Sequence, residues 1–270
     1  MTGELRRIRL TVAYDGTVYA GWQRQRNAPS VQGMLEKALH SLTGETAAVT
    51  GASRTDAGVH ALGQTAHFDT VSSIPSEKFS FALNTRLPDD IRVVDSGKVS
   101  LDFHARYGAR GKTYRYQIHN SSHASALYRH QRAHVVPPLD VPLMQLAARD
   151  VLGQHDFRAF AASGSEAKTT IRDIAEATVT RQGELIELTV SGRSFLYNMV
   201  RILAGSLIYI GMGKISPDSL RRALETGNRL DLGITAPAHG LTLMEVRYGE
   251  AGETPGGAAP WAPAKGTLSP

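Results

Sequence analysis

Polar and apolar residues alternate at the start of the chain, with Ile8, Leu10, Val12 and Tyr14 interleaved with Arg7, Arg9 and Thr11. That period of two predicts a half-buried strand, and Asp15-Gly16 behind it predicts a turn. The period then changes. Ser30 stands as an N-cap before Val31, Met34, Leu35, Ala38 and Leu39, a helical stripe that ends near Gly44. Strands are predicted around Ala47 to Thr50 and Gln64 to Phe68, and a second helix from Ser76 to just before Pro88. Strands return at Ile91 to Val94 and at Thr113 to Ile118. The order β-α-β-β-α-β plus one strand is the split βαβ arrangement of ferredoxin-like domains.

The second half repeats this order less regularly. A helix is predicted at Val141 to Leu152, and a hairpin over Ile171 to Val190 turning at Gln182-Gly183. A long apolar helix from Phe195 to Ile210, a short helix opened by Ser216-Pro217, and a closing strand at Leu241 to Tyr248 complete the pattern. The expected class is α+β, with two ferredoxin-like or RRM-like halves, residues 1–105 and 106–248. They are expected to form a mixed, mainly antiparallel sheet with helices on one side and a central active-site cleft. Over residues 249–270 the composition shifts to Gly, Ala and Pro, which leaves little to bury and reads as a disordered tail.

Composition narrows the chemistry. The chain has no cysteine, so neither a disulfide nor a thiolate nucleophile is available. The Cys nucleophile of pyrimidine methyltransferases and the Cys-containing zinc site of nucleobase deaminases are thereby removed as models. No His-Glu-x-x-His run occurs, and His119, His123, His130 and His134 fall in a polar, irregular stretch, so no metal site is expected. The net charge of +5 and a pI near 9.5 favour a polyanionic partner, with nucleic acid the commonest, although many basic proteins never bind it. The N-terminus carries no signal-like apolar run, and the apolar stretch from Ile202 to Ile210 is too short to cross a bilayer, so no membrane role is expected. Gly111-Lys112-Thr113 has Arg106 where a phosphate-binding loop needs its first glycine, and it leads into a strand.

The segment densest in candidate chemistry is Gly51-Ala52-Ser53-Arg54-Thr55-Asp56-Ala57-Gly58-Val59-His60, which joins two predicted strands. Its small residues let another molecule approach closely, and Arg54 is placed to hold a phosphate or orient the Asp56 carboxylate. A surface turn with a weak ion pair is the plainer reading of the same spacing.

This run resembles the signature of the tRNA pseudouridine synthase A family, Gly-Arg-Thr-Asp-Ala-Gly-Val-His or close to it, with Ser53 as the one local departure. Further matches follow in order. They are Tyr14-Asp15-Gly16, Tyr19-Ala20-Gly21-Trp22-Gln23-Arg24-Gln25, Ser30-Val31-Gln32, the Asn84 to Ile91 run, and Phe103-His104-Ala105-Arg106. Lys112-Thr113-Tyr114-Arg115-Tyr116, His155-Asp156-Phe157 and Asn198-Met199-Val200-Arg201 complete the set, so only the tail falls outside.

The resemblance implies an isomerase that breaks the bond between uracil N1 and ribose C1′, turns the base, and rejoins it through C5, with no cofactor. It implies Asp56 as the catalytic carboxylate, working as the anion, and leaves open whether Asp56 adds to the uracil ring or attacks the sugar carbon. It implies Tyr114 stacked on the target base, and Arg54 and Arg201 as supporting residues, with Arg201 the cation partner of Asp56. An Arg on an apolar helix that snorkels to solvent is the alternative for Arg201. Tyr114 and Tyr116 share one strand face, and for Tyr116 core packing is expected. The target uridine must leave its stack, so the surrounding RNA must be gripped, and Arg24, Arg26, Arg110, Lys112 and Arg115 are the candidate phosphate contacts. The implied substrate is uridine at tRNA positions 38, 39 and 40, and the implied assembly is a cytoplasmic homodimer.

Two other readings compete. A non-catalytic RNA-binding module needs aromatic-rich base-stacking strands, which are lacking here, and leaves Asp56 without a role. A pseudouridine synthase acting on other RNA would share the Asp but differ in the flanking run.

Overall fold

The computed structural model describes residues 4–162, 164 and 167–249. The expected tail therefore lies, from residue 250 on, outside the described residues. In chain order the elements are β1 (Arg6–Tyr14), α1 (Val31–Thr43), β2 (Thr50–Gly51), β3 (His60–Thr70), α2 (Phe79–Asn84), β4 (Ile91–Val99) and β5 (Ala109–Asn120). There follow β6 (Ala133–Val135), α3 (Val141–Ala148), β7 (Gly153–Asp156), β8 (Ile171–Gln182), β9 (Leu185–Gly192), α4 (Met199–Gly211), α5 (Ser219–Thr226) and β10 (Leu241–Tyr248). The class is α+β, and the strand pairings are mixed but mainly antiparallel.

The chain divides into two compact units, and the first runs through Ala109 and takes in β10. Halves drawn in chain order at residues 105 and 106 place that last strand in the second unit. The structure pairs it in parallel with β3 instead, Thr242 beside His60 and Leu243 beside Ala61. Gly63 permits the approach, since a Cβ there would lie 2.4 Å from the Met244 carbonyl oxygen.

Within the first unit β4, β1, β3 and β2 lie in that order, each antiparallel to its neighbour, which is the ferredoxin-like arrangement. One sheet face carries Ile8, Leu10 and Val12, all fully buried. Phe79 of α2 meets Phe68 of β3 edge-on at 5.3 Å, which fixes this as the helix-covered face. The opposite face is polar, with Arg7 forking onto Asp69 at 2.7 and 2.8 Å.

The second unit orders its strands β5, β9, β8, β7, with β6 alongside β5. The predicted hairpin is β8 and β9, turning through Gly183 at φ 59°. Helix α4 is buried nearly all round, and Gly205 and Gly233 pack backbone to backbone.

Several boundaries differ from the periodicity, each for a local reason. Residues 47–49 are not strand, because Glu36 of α1 accepts the Val49 N–H at 3.1 Å and Gln32 donates to the Val49 carbonyl at 3.1 Å. The second helix stops at Asn84, whose amide exchanges two hydrogen bonds with the Val93 backbone, both at 2.9 Å. The long helix begins at Met199 and not at Phe195, because Asn198 adopts left-handed geometry at φ 60° and ψ 5°. Strands β6 and β7 are too short for a period to register.

Candidate active site

Asp56 stands in the loop between β2 and β3, and that loop is held from several sides by the rest of the first unit. The first hold comes from the segment after β1. The Trp22 N–H donates to the Thr55 carbonyl at 3.1 Å, and the Gly58 N–H donates to the Tyr19 carbonyl at 3.3 Å. The Tyr14 hydroxyl lies 2.8 Å from the Thr55 hydroxyl inside the protein. Tyr19, whose backbone serves this hold, donates its own hydroxyl to Asp90 at 2.6 Å. Burial and that bond hold its phenol in the protonated form, well above the usual tyrosine range.

Glycine makes the approach possible. A Cβ on Gly16 would lie 2.1 Å from the Val59 carbonyl oxygen, and one on Gly21 would lie 2.5 Å from the Thr55 carbonyl oxygen. Gly21 also needs its φ of +93°. The glycines of Tyr14-Asp15-Gly16 and Ala20-Gly21-Trp22 are therefore seats for the loop. Its own turn is closed by the Val59 N–H, which donates to the Asp56 carbonyl at 3.1 Å, with Gly58 at φ +78°. At the far end the His60 ring nitrogen Nδ1 accepts from the Gly16 N–H at 3.0 Å and lies 3.1 Å from Asp15 Oδ1.

The loop thus presents a part-buried Asp56 on a fixed backbone, with Arg54 exposed two residues earlier. Ser53, where the sequence departs from the family signature, is buried, and its backbone is held on both sides by the Gln64 side chain.

The second unit carries the other expected residues. Tyr114 is on β5 with its ring edge-on to Phe195 at 5.1 Å and 9% exposed. Tyr116 is fully buried and donates its hydroxyl to the Pro237 carbonyl at 2.9 Å, the core role expected of it. Arg115, on the other strand face, lies 3.4 Å from Glu187. Arg201 does not snorkel to open solvent. It is part-buried, its Nε donates to the Ala236 carbonyl at 2.9 Å, and its Nη1 donates to the Asn198 side-chain oxygen at 2.8 Å. Its own carbonyl accepts from the Ala236 N–H at 3.0 Å.

Of the candidate phosphate contacts, Arg24 and Arg26 are exposed, with Arg24 3.1 Å from Glu36, while Arg110 and Lys112 are part-buried along β5. The histidine stretch is organised by backbone. His119 lies 3.1 Å from the His123 carbonyl, and His134 lies 2.8 Å from the Ser121 carbonyl. No group of three or more metal-ligating side chains converges among the described residues. No helix there is long and apolar enough to cross a membrane.

A family model described as tRNA pseudouridine synthase matches residues 10–108 and 147–249. The chain belongs to the tRNA pseudouridine synthase family, and with it to the isomerases. It is 51% identical over 244 residues to the tRNA pseudouridine synthase A of Acetivibrio thermocellus, covering 90% of this chain and 100% of the relative. To the protein of the same name from Ruminiclostridium cellulolyticum it is 52% identical over 245 residues, with the same coverage. The one from Caldicellulosiruptor bescii is 45% identical over 244 residues, again covering 90% and 100%. The matched segments contain Asp56, Arg54 and Arg201, whereas Tyr114 and Lys112 fall between them.

The family motifs point to Asp56, Tyr114 and Arg201 in sequence. What motif reading misses is the support: Gln64 beneath the loop, and Asn198 with the Ala236 carbonyl around Arg201. Gln64 does leave a signal, since it is polar in the phase that Ala66 and Phe68 mark as core-facing.

Proposed function

We propose that this chain converts uridine to pseudouridine in tRNA, at positions 38, 39 and 40 of the anticodon arm, with Asp56 as the catalytic carboxylate and no cofactor or metal. The observation that carries the reading is the family match together with the loop that displays Asp56, braced by backbone bonds from Tyr19 and Trp22. In the reaction the N1–C1′ bond breaks, the uracil turns, the C5–C1′ bond forms, the C5 proton leaves to solvent, and N1 takes up a proton in exchange. No atom is gained beyond that proton exchange, so the protein's task is to hold, orient and carry charge.

The anion of Asp56 is the working form, whether it adds to the ring or attacks C1′. Arg201, held by Asn198 and Ala236, supplies the cation that favours that anion. Tyr114 supplies a flat face for the flipped base, and its near-burial beside Phe195 keeps the ring in one orientation. Arg54, Arg24, Arg26, Arg110 and Lys112 contact RNA phosphates. The enzyme works in the cytoplasm as a homodimer.

The experiment is tritium release from tRNA transcripts labelled at uridine C5, run with a chelator present and with Asp56→Asn beside the wild type. Release by the wild type alone, mapped to positions 38–40, is the expected result. Release that persists in Asp56→Asn would overturn the role of Asp56. Absence of release from any tRNA, with binding intact, would leave an RNA-binding protein.

A further inference from the structure

Gln64 occupies a place where an apolar residue is expected. It faces Val12 across the β1–β3 pair, so its side chain lies on the helix-covered face with Ala66 and Phe68, and it is completely buried. A carboxamide in such surroundings is unfavourable unless its polar atoms are bonded. Both ends are bonded to the same residue. Gln64 Oε1 accepts the Ser53 N–H at 3.1 Å, and Gln64 Nε2 donates to the Ser53 carbonyl at 2.7 Å.

The position of Ser53 explains why a side chain is needed. The outer edge of β3 is shared, with β2 pairing at Ala66 and His67 and β10 pairing at His60 and Ala61. The ladder to the incoming chain ends with the Ala52 N–H donating to the Thr65 carbonyl at 2.8 Å. Ser53 lies beyond Gly51, the last residue of β2, in the gap after the strand pairing stops. The Gln64 amide spans that gap as a one-residue surrogate strand, carrying one donor and one acceptor as a peptide unit does.

We infer that Gln64 is a positioning residue for the Asp56 loop, acting through Ser53 three residues before the carboxylate. The inference rests on the proposed role of Asp56. Between Ser53 and Asp56 the Thr55 carbonyl and hydroxyl are bonded to Trp22 and Tyr14. Releasing Ser53 loosens the entry half of the loop and leaves the closing turn at Gly58 and Val59 in place. A displacement of the carboxylate on the order of 1 Å is enough to cost about 100-fold in rate.

Gln64→Leu keeps the volume and the core-facing phase but removes both bonds. In single-turnover tritium release at saturating enzyme, Gln64→Leu is expected to be about 100-fold slower than wild type, with the Kd for tRNA within about twofold. Limited trypsin digestion supplies a readout that does not depend on activity, because Arg54 is exposed beside Ser53. Cleavage after Arg54 is expected to accelerate in Gln64→Leu while cleavage elsewhere keeps its rate.

Gln64→Glu covers the case in which the leucine variant fails to fold. As the neutral acid, the introduced carboxyl keeps one donor and one acceptor, and as the anion it loses the donor and faces the Ser53 carbonyl. Its rate relative to wild type should climb about tenfold as pH falls from about 8.5 to about 6. A folded Gln64→Leu with wild-type rate and wild-type trypsin pattern, or a flat relative profile for Gln64→Glu, would overturn the inference. An inactive wild type would instead fault the activity assignment, and the trypsin comparison would still decide whether Gln64 holds the loop.

Discussion

The Trp22 indole lies against Gly51 so closely that a Cβ on Gly51 would sit 2.4 Å from the ring. Trp22 is 1% exposed and cannot swing away. The last residue of β2 is thereby tied to the segment after β1, one residue before the loop that carries Asp56 begins. Gly51→Ala should lower stability by roughly 1–3 kcal/mol, the usual penalty of overpacking a filled site. Urea unfolding of the purified variant measures it. A midpoint equal to that of wild type would show that the loop can shift to make room.

Tyr14→Phe removes the hydroxyl bonded to Thr55 and leaves the ring in place. The expected loss is about 1 kcal/mol, because a buried hydroxyl on Thr55 is left short of a partner. The same variant should slow single-turnover release without changing tRNA affinity, since Thr55 adjoins Asp56. Equal rates for the two proteins would mean that the Trp22 bond alone holds Thr55.

His67 makes stability depend on pH. Burial first, and then the positive fields of Arg7 and His104, push its imidazole down to about 4, and its Nδ1 accepts the Ala105 N–H at 3.2 Å. The unfolded chain binds a proton near pH 6.5, whereas the folded protein does so only near 4. Unfolding therefore takes up a proton between these values. The contribution of His67 is complete above about pH 6.5 and is lost as pH falls toward 4, amounting to at most about 3 kcal/mol. Urea midpoints from pH 7 to pH 4 should fall for wild type and fall less steeply for His67→Gln. His104, also lowered by burial and by Arg7, keeps some slope in the variant.

Asn198 holds Arg201 and also bears the left-handed turn that starts α4. Asn198→Gly separates these roles, since glycine adopts the backbone freely but has no amide to accept from Nη1. Stability should change by less than about 1 kcal/mol while single-turnover release slows. Wild-type turnover in this variant would show that the Ala236 carbonyl suffices to aim the guanidinium.

Arg110→Ala combined with Lys112→Ala tests the RNA grip. Removing a cation that neutralises a phosphate lowers the slope of log affinity against log salt by about 1. Binding measured from low to moderate salt should show a reduced slope with little change in the single-turnover rate. An unchanged slope would remove both residues from the interface.

Local patterning determined the parts of the fold that local physics controls. The alternation of Ile8, Leu10 and Val12, the Ser30 cap and the Gly183 turn all appear where the sequence places them. The α+β class, most of the longer elements and the loop around Asp56 were legible because each depends on neighbours within a few residues. The tertiary structure decided what distant residues do to one another. It turned residues 47–49 out of the strand because side chains of α1 take their backbone groups, and it stopped a helix at Asn84 in favour of bonds to Val93. It returned β10 to β3, a pairing set by edge availability and by Gly63, neither of which leaves a period in the chain. Around the site, motif positions point to Asp56, Tyr114 and Arg201 as candidates, but not to Gln64, Asn198 or the glycines packed against the Asp56 loop. A hydrogen bond between residues eleven or more apart has no local signature, so only the folded chain discloses which polar group completes which.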